Sequence, residues 1–185
     1  RGRVASFQPL PHFTGTAWQG GPRVPDAKTG WCILTAQGGH AGNDQAHAVI
    51  RRWTAPRDGV VAISGTLAHG RDQGDGVRAR VVSSRHGIVG TWEAFKSNAD
   101  TAVARVEVKA GDTLDFVVDC KTNSNSDSFT WAPVVRMLGA AAAGGTSEWS
   151  AAADFGGPAG AKKGLEPWEK YAQVLLMSNE FAFVD

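Results

Sequence analysis

The sequence predicts an all-β fold, a jelly-roll β-sandwich of about eight strands with an extended N-terminal arm and a C-terminal helix. Three observations point there. Short segments of apolar–polar alternation recur along residues 31–137, the pattern of strands buried on one face. Val61, Ile63 and Leu67 share one parity, as do Val77, Ala79 and Val81, while Arg78 and Arg80 take the other. Turn chemistry separates the segments, from APRDG at Ala55–Gly59 to AHGRDQGDG at Ala68–Gly76. Finally, 23 glycines and 7 tryptophans against a single tyrosine suit a turn-rich β fold better than a helical one.

Residues 1–28 show no period. Pro9, Pro11, Pro22 and Pro25 with Gly20-Gly21 make them an extended arm, pinned by Phe7, Phe13 and Trp18. The sandwich spans 29–138. Its first strand is Trp31–Gln37, followed by a loop at Gly38–Gln45 and a second strand over Ala46–Trp53. The third and fourth strands carry the parity pairs above. Arg85–Gly90 turns the chain into a short fifth strand, Thr91–Phe95, and Lys96–Thr101 is a polar connection. Alternation resumes at Ala102–Lys109, and AGD at Ala110–Asp112 is a tight turn. The seventh strand, Thr113–Cys120, faces Leu114, Phe116 and Val118 inward. After the polar KTNSNSDS loop, Phe129–Met137 is the eighth, with Pro133 demoting its end to an edge or bulge. Residues 139–185 are a linker and tail. Pro167 with Glu166 and Glu169 opens an amphipathic helix to Ser178, expected to pack with the arm.

Composition narrows the function. The net charge of +1 gives no field that would draw in nucleic acid, and no aromatics interleave with a basic patch. No apolar run approaches the roughly 18–20 residues of a membrane span. The arginines Arg51, Arg52, Arg78 and Arg80 read as a solvated basic face. Cys32 and Cys120 form neither a disulfide framework nor a metal spacing. With Cys32 opening the first strand and Cys120 closing the seventh, like-directed strands place them at opposite ends, so both are expected to be unpaired.

Antiparallel strands send alternate connections to opposite ends. Gly38–Gln45, Ala68–Asp75, Lys96–Thr101 and Lys121–Ser128 share one end, and the tight turns share the other. The first set concentrates groups that donate and accept hydrogen bonds together: His40, Asn43, His69, Arg71, Asp75, Asn125 and Asp127. That mixture suits sugar hydroxyls, and these seven residues are the candidate carbohydrate-binding set. No nucleophile elbow, zinc helix or phosphate loop is present, so no enzyme is expected. Asp72, Asp75 and Asp127 have the hard oxygens that calcium prefers, but RDQGDG lacks the spacing of a calcium loop and the metal stays open.

WTAPRDGVVAISGTL, GDGVRARVV, VKAGDTLDFVVD and SDSFTWAPVV together resemble a jelly-roll module attached to extracellular enzymes and large secreted bacterial proteins. The closing PWEKYAQVLLMSNEFAFVD resembles the final segment of planctomycete-type cytochrome c proteins, and TGWCILTAQGGHAGNDQAHAVIRRW resembles the insert in them. The resemblance implies a carbohydrate-binding-module-like role, outside the cytoplasm, beside neighbouring domains of a larger parent chain. The chain has no Cys-x-x-Cys-His, so it carries no haem chemistry of its own. The expected function is a non-catalytic module that anchors a secreted parent to polysaccharide or oligosaccharide. The alternative is a structural module that packs on partner domains and binds no glycan.

Overall fold

The computed structural model describes residues 8–139 and 147–158. The chain begins with β1 (His12–Phe13) and β2 (Ala17–Gln19), then β3 (Ile33–Thr35) and β4 (Gly38–His40). A 3-10 turn at Gln45–His47 leads into β5 (Val49–Thr54), β6 (Gly59–Ser64) and β7 (Thr66–His69). Next come β8 (Val77–Ser83), β9 (Gly87–Ala94), β10 (Ser97–Asp100) and β11 (Val103–Val108). The last are β12 (Thr113–Asp119), β13 (Ser128–Thr130), β14 (Val134–Leu138) and β15 (Glu148–Ser150). These 15 strands form three antiparallel sheets, ordered β1-β2-β3-β4-β13-β7-β10, β11-β6-β14-β15 and β5-β12-β8-β9. Among the described residues there is no α-helix. The helix expected at Pro167–Ser178 lies outside them.

The first two sheets are joined along a bend. Only Gly65 separates β6 from β7, only Thr101-Ala102 separates β10 from β11, and Trp131–Pro133 separates β13 from β14. Three hydrogen bonds fasten this line. Thr101 donates its amide and its hydroxyl to Gly65 O, each at 2.9 Å, and the Trp131 indole N–H donates to the Thr101 hydroxyl oxygen at 2.9 Å. Pro133 thus breaks the eighth predicted strand in its middle. Beyond it β14 pairs on both sides, with β6 and β15, so the tryptophan corner and not a sheet edge absorbs the proline.

One core cluster runs through all three sheets. Val61 and Ile63 of β6, Leu67 of β7, Val77 and Val81 of β8, and Leu114, Phe116 and Val118 of β12 are its centre, on the parity read from the sequence. Phe116 meets Trp131 edge-on, with ring centroids 5.6 Å apart. Each such side chain contributes about 1.5–3 kcal/mol on burial.

Several local readings change. Gly38–His40, expected in a loop, is β4, because its two glycines lie flat against a neighbouring strand. A Cβ on Gly38 would fall 2.0 Å from Phe129 O. Ser97–Asp100, also expected as a connection, pairs as β10 with β7. Strand β9 starts at Gly87, not Thr91. The arm from residue 8 onward contributes β1 and β2, and β2 adds to β3.

The extra β3–β4 hairpin also inverts the cysteine geometry. It turns the chain back before the first long strand and carries Cys32 to the end where Cys120 lies. Both thiols are nonetheless free and buried, and the Cys32 thiol donates to His47 O at 3.2 Å. The unpaired state expected from the sequence is present, with different geometry behind it.

Candidate functional site

Three of the four connections assigned to one end meet there, while Lys96–Thr101 runs away from it as β10 to the Gly65 bend. Gln45 Nε2 donates to Lys121 O at 2.7 Å, tying the first connection to the last. The His69 ring, at the end of β7, lies 3.0 Å from Ser126 O through Nε2. Because a carbonyl only accepts, Nε2 carries the proton, and Nδ1 is left without a partner. Asp75 accepts from the Thr122 amide at 3.1 Å, from the Thr122 hydroxyl, and from Asn123 Nδ2 at 3.0 Å. Lys121 Nζ donates to Asp75 O at 3.1 Å. Glycine makes this docking feasible. Gly74 has φ +82°, and a Cβ there would fall 2.0 Å from Asn125 O.

The seven candidates therefore divide into three groups. His69 and Asp127 are buried, and Asp75 is half-buried against the Lys121–Ser128 loop. Burial works against the Asp75 charge, but the Thr122 hydroxyl and amide, with Lys121, outweigh it and hold the carboxyl below its ordinary range. Asp127 is fully buried, and neither of its oxygens has a hydrogen-bond partner. Burial, reinforced by the Asp75 and Asp119 carboxylates and opposed by Lys121, pushes its pKa up to about 7. Asn43, Arg71 and Asn125 are exposed. His40 is intermediate. Its Nδ1 donates to Ala41 O at 2.6 Å, and burial lowers its pKa.

Two residues outside the predicted set complete this end. The Trp31 ring, 40% exposed, lies 5.7 Å from the His40 ring, and Phe95, 42% exposed, lies 5.9 Å from the His69 ring. Sequence periodicity placed both within strands. The signal that could have found Trp31 is the Asp26–Gly30 turn before it, closed by two hydrogen bonds of 2.8 Å and by a positive φ at Gly30.

The basic face is not solvated as expected. Arg78 and Arg80 both pair with Asp119, fully buried, at 3.1 and 2.6 Å. Arg52 pairs with Asp115 through two bonds, of 2.6 and 2.8 Å. Asp115 and Asp119 lie on the outward parity of β12, opposite these arginines, and neutralise them in place. Arg51, on the inward parity of β5, leaves the face altogether. Among the described residues no group of three His, Cys, Asp or Glu side chains is placed to hold a metal ion.

Comparison of the chain with protein-family models, with curated proteins and with solved structures finds no match.

Proposed function

We propose that this chain is a non-catalytic carbohydrate-binding module built on a jelly-roll sandwich, acting outside the cytoplasm to hold a larger parent protein to polysaccharide. The strand orders β4-β13-β7-β10 and β5-β12-β8-β9 support the jelly roll, since from β4 to β13 the chain crosses between these two layers at every long connection except the β8–β9 hairpin. The observation that carries the function is the pairing of exposed aromatics with polar loops. Trp31 rests on His40 and Phe95 on His69, beside exposed Asn43, Arg71 and Asn125. An aromatic face suits the apolar face of a pyranose, and the amide and guanidinium groups suit its hydroxyls. His69 and Asp75 serve from inside, fixing the loops so that little ordering entropy is lost on binding.

The isolated domain is screened against a broad polysaccharide panel, and the best ligand is titrated against variants. Arg71→Ala and Trp31→Ala should each weaken binding by about 1–3 kcal/mol. Asp75→Ala should do the same by releasing the Lys121–Ser128 loop. A panel with no binder sinks the proposal and leaves the second reading, a module that packs on partner domains. Ile88, 44% exposed on the edge strand β9, favours that reading.

A further inference from the structure

A second concave site lies far from the loop end in chain terms, at the edge where β5 faces β15. Phe116 and Leu114 of β12 point into the core, and the register sets Arg51 opposite Phe116 and Trp53 opposite Leu114. Arg51 and Trp53 therefore share the inward parity, at a sheet edge that no further strand covers among the described residues. Trp149 of β15 meets Trp53 at 5.2 Å between ring centroids, with the planes inclined by 59°. Phe155 lies beneath the Arg51 guanidinium, 5.5 Å from its central carbon. Trp18 is locked by donating its indole N–H to Gly156 O at 2.7 Å. Together these side chains enclose a cavity of about 300 Å³.

Its polar inventory sets the Arg51 cation inside and the Asp154 carboxylate at the exposed rim. Arg51 Nη2 donates to the carbonyls of Thr35 and Gly38, the latter at 2.9 Å, which binds the group but cancels no charge. Among the described residues no carboxylate pairs with it. The Trp53 indole N–H is buried and has no acceptor. The Asp154 carboxylate at the rim already accepts from the Ser150 amide at 2.9 Å. A partly buried cation and an unused donor, walled by aromatic rings, call for a ligand with a flat or chair ring and an anionic acceptor. The volume is at the small end of ligand pockets, about one ring.

We propose that this cavity is a second binding site, and that it takes a hexuronic acid residue of an acidic polysaccharide. The ring packs on the side of the Trp53–Trp149 pair that faces the cavity while its carboxylate accepts from Arg51. The assignment of the ring to a sugar rests on the carbohydrate-binding reading above; the carboxylate rests on Arg51.

The test uses the full chain, calorimetry and tryptophan emission, with oligogalacturonate, its methyl ester, a neutral gluco-oligosaccharide and benzoate as probes. Oligogalacturonate should bind about tenfold or more tighter than its ester and shift the emission. Trp149→Ala should lower that affinity by about tenfold or more, Arg51→Gln should erase the preference over the ester, and Arg51→Lys should keep part of it. Ile88→Ala, on β9 at the opposite edge of the sheet from β5, should leave it unchanged. If Arg51→Gln does not fold, Trp149→Ala decides, provided its melting temperature matches the wild type. Uronide binding lost with Trp31 and kept without Trp149 overturns this site while the module reading survives. Binding of benzoate without the uronide overturns the sugar assignment, and failure of every glycan overturns both readings.

Discussion

Asp127 is the residue where the fold opposes its own chemistry. It is fully buried, lacks a partner for either oxygen, and sits near the Asp75 and Asp119 carboxylates, so its pKa rises from 3.8 to about 7. Between those values the folded protein keeps a proton that the unfolded chain has released. Its contribution to stability is therefore fully present below about pH 4 and is lost as pH rises through about 7. Asp127→Asn keeps the shape and removes the titration. The variant should be more stable than the wild type at pH 8, by about 1–3 kcal/mol, and the two should converge near pH 4. Urea unfolding at both pH values checks this, and a difference independent of pH would sink it. Asp44, Asp58 and Asp112 work the other way, with pKa values lowered chiefly by side-chain hydrogen bonds from His47, Lys109 and Arg85. They serve as the internal contrast, since substituting Asp127 leaves their acid-side slope in place.

Among the elements, the bend through Gly65, Thr101 and Trp131 sets where one sheet ends and the next begins. Thr101→Val preserves the side chain's shape but removes the oxygen that accepts from the Trp131 indole. Leaving that buried N–H unpaired should cost about 1–3 kcal/mol, measured by chemical denaturation. A Thr101→Val protein as stable as the wild type would mean that packing alone holds the bend. The long strands were legible from parity because one parity of each carries the apolar side chains of the core, as with Val61 and Ile63 or Leu114 and Phe116. Strands β4 and β10 were not, since GGH and SNAD carry no apolar alternation and are held by backbone pairing. The loop end was legible as a meeting of connections. Its aromatic flank Trp31 was not, because its exposure depends on where β3 begins. Nor was the fate of the arginines, since Arg78 looks solvated until β12 sets Asp119 beside it.

At the scale of the whole molecule, the cluster that joins Ile63, Leu67 and Phe116 belongs to three sheets at once. Among the described residues no sheet has a core of its own to fall back on. Denaturation should therefore give one transition, with far-ultraviolet dichroism and tryptophan emission coinciding. Separated midpoints would show that the β1–β4 layer unfolds independently of the rest.

The strap between the first and last described strands bears on mechanics. Trp18 of β2 bonds to Gly156, and Phe13 of β1 lies 6.4 Å from Phe155, so the first and last described stretches of chain lie side by side. Tension pulling them apart is met first by this small clasp, one contact after another. The long ladders of β8 and β12 are not sheared until it opens. The domain thus behaves under load like a bead hung on a short tether: its outer clasp can yield and re-form while the loop end keeps its geometry.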